Sequence, residues 1–148
     1  MKVGEENRWG PLDEKTVAEF EAKNGIELPS DYREFMLAHH GGVPEPNFYW
    51  VAPDDWGSGI ESFYGFGREG YLLQQYLDHR TSIGIAPDMI AIGDDGCCSH
   101  LAIGIAGKRR GQVFYIDCEF GLGETRRERL LASSFAEFLL RLCIAPDH

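Results

Sequence analysis

Residues 89–117 run MIAIGDDGCCSHLAIGIAGKRRGQVFYID, and the reading of this stretch decides the fold. Met89, Ile90 and Ile92 lead into a turn made of Gly93, Asp94, Asp95 and Gly96. Leu101, Ile103 and Ile105 then alternate with Ala102 and Gly104, and a polar corner over 107–111 feeds Val113, Phe114, Tyr115 and Ile116. Apolar residues at period two, broken by short glycine-rich corners, predict a three-stranded antiparallel meander, because a two-residue repeat puts every second side chain on one face of a sheet. One face of such a sheet must be covered by the flanking sequence.

Upstream, residues 13–23 predict a short amphipathic helix with Asp13 as cap, Val17 and Phe20 on one face, and Asn24 and Gly25 as the left-handed stop. Ser30 is the expected cap of a second helix, in which Tyr32, Phe35, Met36 and His39 follow helical spacing until Gly41 and Gly42 end it. Pro44, Pro46 and Pro53 exclude a long helix beyond that point, while Phe48, Tyr49, Trp50 and Val51 have strand composition. Residues 54–59 are expected as a loop and 60–66 as another strand; 71–79, with Leu72, Leu73, Tyr76 and Leu77, are expected as a third helix. Downstream of the meander, 118–129 predict a loop with room for a short strand. Ser134 and Glu137 then form an S-x-x-E capping box for a last helix carrying Phe135, Phe138, Leu139 and Leu142. This order predicts an α+β fold, a mainly antiparallel sheet with helices packed on it, as a single domain over residues 1–148.

Net charge is −10, and no Lys or Arg occurs from 34 to 67, where Glu34, Glu45, Asp54, Asp55 and Glu61 all stand. Such a chain repels nucleic acid and anionic lipid, since phosphate binding requires a basic face, and it attracts a basic partner. The opening residues MKVGEENRWG hold no apolar leader core, and no apolar run reaches the roughly 20 residues that span a bilayer, which predicts a cytoplasmic protein. The cysteines point the same way: Cys97, Cys98, Cys118 and Cys143 lack metal-ligand spacing and disulfide-scaffold density, so buried free thiols are expected.

The chemistry-bearing candidates are few. Asp94, Asp95, Asp117 and Glu119 can meet across the meander, as a cation site or an acid and base pair would require, yet Asp and Gly are also what a tight turn demands. No calcium-loop, nucleotide-cradle or nucleophile-elbow spacing occurs, so no cofactor and no metal are expected. Lys108, Arg109 and Arg110, like Arg126, Arg127 and Arg129, are expected to be solvated turn charges. The stretch 48–66 is the strongest candidate, because aromatic anchors inside an acidic rim suit capture of a basic protein surface. The expected partner-binding set is Glu45, Trp50, Asp54, Asp55, Trp56, Glu61, Asp94, Asp95 and Glu119.

Three stretches resemble the SMI1/KNR4 family of the SUKH superfamily. They are Phe20, Glu21 and Gly25 with Leu28, Pro29, Ser30, Asp31, Tyr32 and Phe35, closing at Gly41 and Gly42; Ile92, Gly93, Asp94, Asp95 and Gly96 with Gly111, Gln112, Val113, Tyr115, Asp117, Cys118 and Glu119; and Ser134, Phe135, Glu137, Phe138 and Leu139. The chain departs from the family pattern at Cys97, Cys98 and Ser99, and at Cys118, where a His is common. The resemblance implies an α+β fold and, as in bacterial members, an immunity protein that binds and silences a cognate toxin. With the acidic charge, it predicts a non-enzymatic binding protein for a basic toxin such as a nuclease. Two alternatives stand beside it: a regulatory scaffold like the fungal members, and a small carboxylate-dependent or metal-dependent enzyme using Asp94, Asp95, Asp117 and Glu119.

Overall fold

The computed structural model describes residues 2–4, 12–66, 73–121 and 123–146. In chain order the elements are β1 (Lys2–Gly4), α1 (Glu14–Asn24), α2 (Ser30–His39), β2 (Val43–Glu45), β3 (Phe48–Ala52), β4 (Trp56–Gly59), β5 (Ser62–Phe63), α3 (Leu73–Asp78), β6 (Met89–Asp94), β7 (His100–Gly104), β8 (Val113–Ile116), β9 (Glu128–Ala132) and α4 (Phe135–Leu140). The predicted meander is β6, β7 and β8, widened at its edges by β5 and β9 into a five-stranded sheet in sequence order. Every described pairing in it is antiparallel, and α+β is the fold class.

Register divides the sheet into two faces, because residues directly opposite in an antiparallel pair project the same way. Ile103 pairs with Ile90 and Val113, Leu101 with Gly93 and Tyr115, and Tyr115 with Arg129, which fixes one face. Helices α2 and α4 cover it: Phe35 and Phe63 both meet Phe135 edge-on, and Tyr49 of β3 bridges Tyr115 and Phe138. Asp94, His100 and Ile116 pair on the opposite face, where α3 stacks Tyr76 on Tyr64 at 3.9 Å. Both faces are therefore covered along β8, which explains why every residue of β8 is buried although only alternate ones meet the main core.

Helix α1 follows its sequence signals. The Asp13 carboxylate accepts from Thr16 N at 2.8 Å, Gly25 turns at φ 64°, and Val17 and Phe20 are buried. Helix α2 differs at its start: Pro29 occupies the cap, no side chain caps it, and Ser30 is already helical. Proline presets the backbone there, and the Asp31 carboxylate accepts from Tyr32 N and Ala136 N instead, tying α2 to α4. For α4 the Ser134 hydroxyl accepts from Glu137 N at 3.0 Å, while the Glu137 carboxylate returns to Ser133 N rather than to Ser134.

The stretch expected as a loop over 54–59 is a hairpin. Asp54 adopts φ 59° in its turn, and Trp56 to Gly59 pair with β3 as β4. Gly57 is required there, since a Cβ would lie 2.2 Å from the Tyr49 carbonyl oxygen. The strand expected over 60–66 shrinks to β5 because the chain changes partner almost residue by residue: Ile60 N donates to Asn47, Glu61 N to Asp94, Phe63 N to Gly42 and Tyr64 N to Ile92. The third helix is α3, ending one residue short of the predicted stop; Tyr71 and Leu72 lie outside the described residues.

The cysteines depart most from expectation. Cys98 and Cys118 form a disulfide with Cα atoms 5.9 Å apart, Cys97 is free and exposed, and Cys143 is free and half-buried. Residues 98 and 118 meet because β7 pairs with both β6 and β8, which brings the β6–β7 turn against the exit of β8. That bond removes the support that four free thiols lent to a cytoplasmic address. Among the described residues no helix is long and apolar enough to cross a membrane.

The basic turn residues are also more than solvated charge. Arg109 pairs with Asp88 at 2.6 Å and Glu128 at 2.8 Å, and Arg110 donates to the carbonyls of Glu27 and Ile105. Arg127 is buried, with its guanidinium on the carbonyls of Ile83, Gly84, Asp117 and Phe120.

Candidate functional site

Turn chemistry at one end of the sheet builds the candidate site. Leaving β6, the Asp94 carboxylate accepts from Gly96 N at 3.3 Å and the Asp95 carboxylate from Cys97 N at 2.9 Å, so two successive acids hold one tight turn. Leaving β8, Asp117 N donates to Arg127 O at 2.8 Å, and the Asp117 carboxylate accepts from Glu119 N at 3.0 Å. Buried Ser99 joins the two exits by accepting from Cys118 N at 3.3 Å. The β3–β4 hairpin then lays Trp56 beside Tyr115, ring centroids 5.6 Å apart and 74° between planes.

Together these pieces enclose a hollow of about 490 Å³ whose walls include Trp56, Tyr115, Asp95, Asp117, Glu119 and Arg129. The Arg129 guanidinium lies over the Trp56 ring, 5.5 Å from its centroid. Asp117 is only 7% exposed, whereas Glu119 is exposed. Burial pushes the Tyr115 hydroxyl's pKa up, so the phenol stays neutral and acts as a polar wall.

Of the residues expected to bind a partner, Trp56, Asp95 and Glu119 meet in this hollow. Trp50 lines a different, apolar hollow of about 240 Å³ with Tyr49, Leu131 and Phe138. Asp54 and Asp55 are exposed at the hairpin tip, and Glu45 is exposed on β2 opposite Lys2. Glu61 is exposed against the Asp94 turn, where a Cβ on Gly96 would come within 3.4 Å of its carboxylate. Of the nine residues, three thus share one concavity.

Asp94 faces the other way, into a cluster that sequence spacing did not reveal. Tyr64 Oη lies 3.0 Å from His100 Nδ1 and 3.3 Å from Asp94 Oδ2. Burial pushes the His100 pKa down and that of Asp94 up, each favouring the neutral form, and burial pushes the Tyr64 phenol up as well. His100 lines a second hollow of about 580 Å³ with Tyr76, Ile83, Gly84 and Arg127, and the Cys98–Cys118 bridge lines both hollows. Register alone places Asp94 opposite His100, a pairing that could be read only once the bulge between Ala91 and Gly93 was known.

A larger hollow, about 830 Å³, lies between the α1–α2 connection and Arg110, but its basic groups are matched: Arg33 pairs with Glu14 and Glu21, and Arg110 is taken up by carbonyls. Among the described residues no three His, Cys, Asp or Glu side chains are grouped to hold a metal ion.

No curated protein matches the chain. The model of the SMI1/KNR4 family (SUKH-1) matches residues 11–141, a span that takes in α1, the whole five-stranded sheet, both sides of the acid-lined hollow and α4. The α+β architecture and this match agree, and the chain belongs to the SMI1/KNR4 family (SUKH-1).

Proposed function

We propose that this chain is a non-enzymatic protein-binding domain, an immunity protein that neutralises a cognate basic toxin by occluding it. The observation that carries the reading is the hollow in which Trp56 and Tyr115 stand beside the carboxylates of Asp95, Asp117 and Glu119. An aromatic wall supplies contact area at low conformational cost, and a rim of like charge speeds encounter with a positive surface. The exposed acids Glu45, Asp54, Asp55 and Glu61, from a stretch without Lys or Arg, extend that field beyond the hollow. Charge at the rim acts mainly on the rate of association, while buried contacts at the centre slow release.

The test uses the protein encoded beside this chain's gene as partner, in a growth-rescue assay and in stopped-flow association. Replacing Asp54 and Asp55 with Asn and Glu61 with Gln is expected to lower the association rate about tenfold at low salt, with little change at high salt. Association that ignores both charge and salt, with no rescue of growth, would refute the reading.

One observation favours a second reading, the regulatory scaffold. Leu140 and Ile144 are almost fully exposed and Leu130 is more than half exposed. These apolar side chains lie outside the acidic hollow and offer contact area to further partners. Recovery of several unrelated weak partners, and of no toxin, would favour the scaffold.

A further inference from the structure

We infer that the acid-lined hollow is a socket for a single arginine side chain of the partner, which takes over the Trp56 face now covered by the chain's own Arg129. This rests on the protein-binding reading above and specifies the chemistry the hollow accepts.

The hollow is electrically incomplete. Asp117 is 7% exposed, and its Oδ1 accepts one backbone N–H while its Oδ2 accepts no hydrogen bond among the described residues. Neither Asp95 nor Glu119 makes an ion pair among those residues, and Asp95 is committed only to Cys97 N. Arg129 sits in the same hollow without bonding any of the three: its guanidinium lies on the Trp56 ring, and its buried Nε has no hydrogen-bond partner among the described residues. Three carboxylates and one guanidinium thus share about 490 Å³ with no pair among them. Of these groups Asp117 is buried, Asp95 and Arg129 are half-buried and Glu119 is exposed, and none has an ion-pair partner among the described residues, whereas elsewhere in this chain comparable groups are matched. Arg109 is held by two carboxylates and Arg127 by four carbonyls.

What would complete the site follows from that imbalance. It has a net lining charge of minus two, an indole face already shown by Arg129 to accept a guanidinium, and carboxylate oxygens with open lone pairs. A guanidinium is planar, stacks on an indole and donates five N–H groups in a fork that matches carboxylates two at a time. An ammonium offers a point charge and no face, so the arrangement selects arginine over lysine. Arg129 comes from β9 directly opposite Tyr115, at the wall of the hollow, and can swing aside without disturbing the strand ladder because its backbone pairing does not depend on its side chain.

The experiment titrates the full chain with Nα-acetyl-arginine amide, and separately with Nα-acetyl-lysine amide, while following the Trp56 indole N–H and the Arg129 Nε–H by nitrogen-15 NMR. The arginine compound is expected to shift both resonances and to bind at least tenfold more tightly than the lysine compound. Arg129→Met, which keeps length and removes the charge, is expected to bind the arginine compound about tenfold more tightly, and Asp117→Asn about tenfold more weakly. No shift at Trp56 in the wild-type chain, or equal binding of the two compounds, would overturn the inference; should Arg129→Met fail to fold, the wild-type comparison decides alone. Capture of the partner by a chain that ignores the arginine compound would remove the socket and leave the binding function standing. Arginine binding by a chain that captures no partner would do the reverse.

Discussion

The two hollows on either side of the Cys98–Cys118 bridge each hold one arginine and differ in how their polar groups are satisfied. Toward α3, Arg127 spends its donors on the carbonyls of Ile83, Gly84, Asp117 and Phe120, and Tyr64 holds both His100 and Asp94. Toward the β3–β4 hairpin, Asp95, Asp117, Glu119 and Arg129 share a space without pairing. A closed set of partners marks a group that holds the fold; an open set marks one that awaits something else. The same residue type, arginine, plays both parts two positions apart on one segment.

This contrast can be broken most decisively at Arg127. Arg127→Met strands several buried carbonyls and unties the 83–84 loop from the 117–120 turn, and it should cost about 3 kcal/mol in urea unfolding. Gly84 shows how tight the fit is, since a Cβ there would lie 2.1 Å from the Arg127 guanidinium. A loss below about 0.5 kcal/mol would mean that the satisfied hollow is not a structural strap.

His100 sharpens the comparison through pH. Its pKa is lowered in the folded chain by burial, so the unfolded chain binds the extra proton first as pH falls through the ordinary histidine value near 6.5. The resulting stability is present above that value and is lost as pH falls toward the folded pKa. Asp94 is shifted the other way by burial, and its contribution, largest at low pH, declines as pH rises through its raised pKa. His100→Asn, which keeps an acceptor for Tyr64, should therefore flatten the loss of stability just below pH 6.5 in urea titrations. An unchanged slope would place that proton uptake elsewhere.

Glu119 should show the smallest effect on the fold. Its side chain is exposed and unpaired among the described residues, so Glu119→Gln is expected to change stability by less than about 0.5 kcal/mol while weakening partner binding severalfold. Equal damage to stability and binding would erase the distinction between the two hollows.

Legibility in the sequence followed the range of the interactions involved. The meander, the Asp13 cap, the Gly25 stop and the Ser134 cap were readable because each depends on residues within a few positions of one another. β9 was missed in part because Glu128, Arg129 and Leu130 are partly or fully exposed, so its alternation shows no core face until Leu131 and Ala132. β4 reads as a loop in the sequence because Gly57, Ser58 and Gly59 have low strand propensity; they pair because β3 lies opposite and Gly57 leaves room for it. The acidic residues were legible as a charge field. Their division between a socket, a hairpin tip and a turn was not.

The sequence by itself determined the α+β class, the antiparallel order of the central strands, the family and the acidic character, since local periodicity, turn chemistry and summed charge need no knowledge of distant contacts. Only the tertiary structure decided that Trp56 meets Asp95, Asp117 and Glu119, that Asp94 turns away to Tyr64 and His100, and that Cys98 reaches Cys118. Each of these depends on how strands pair, and the bulge between Ala91 and Gly93 sets the register in which the end of β6, with Asp94, meets His100.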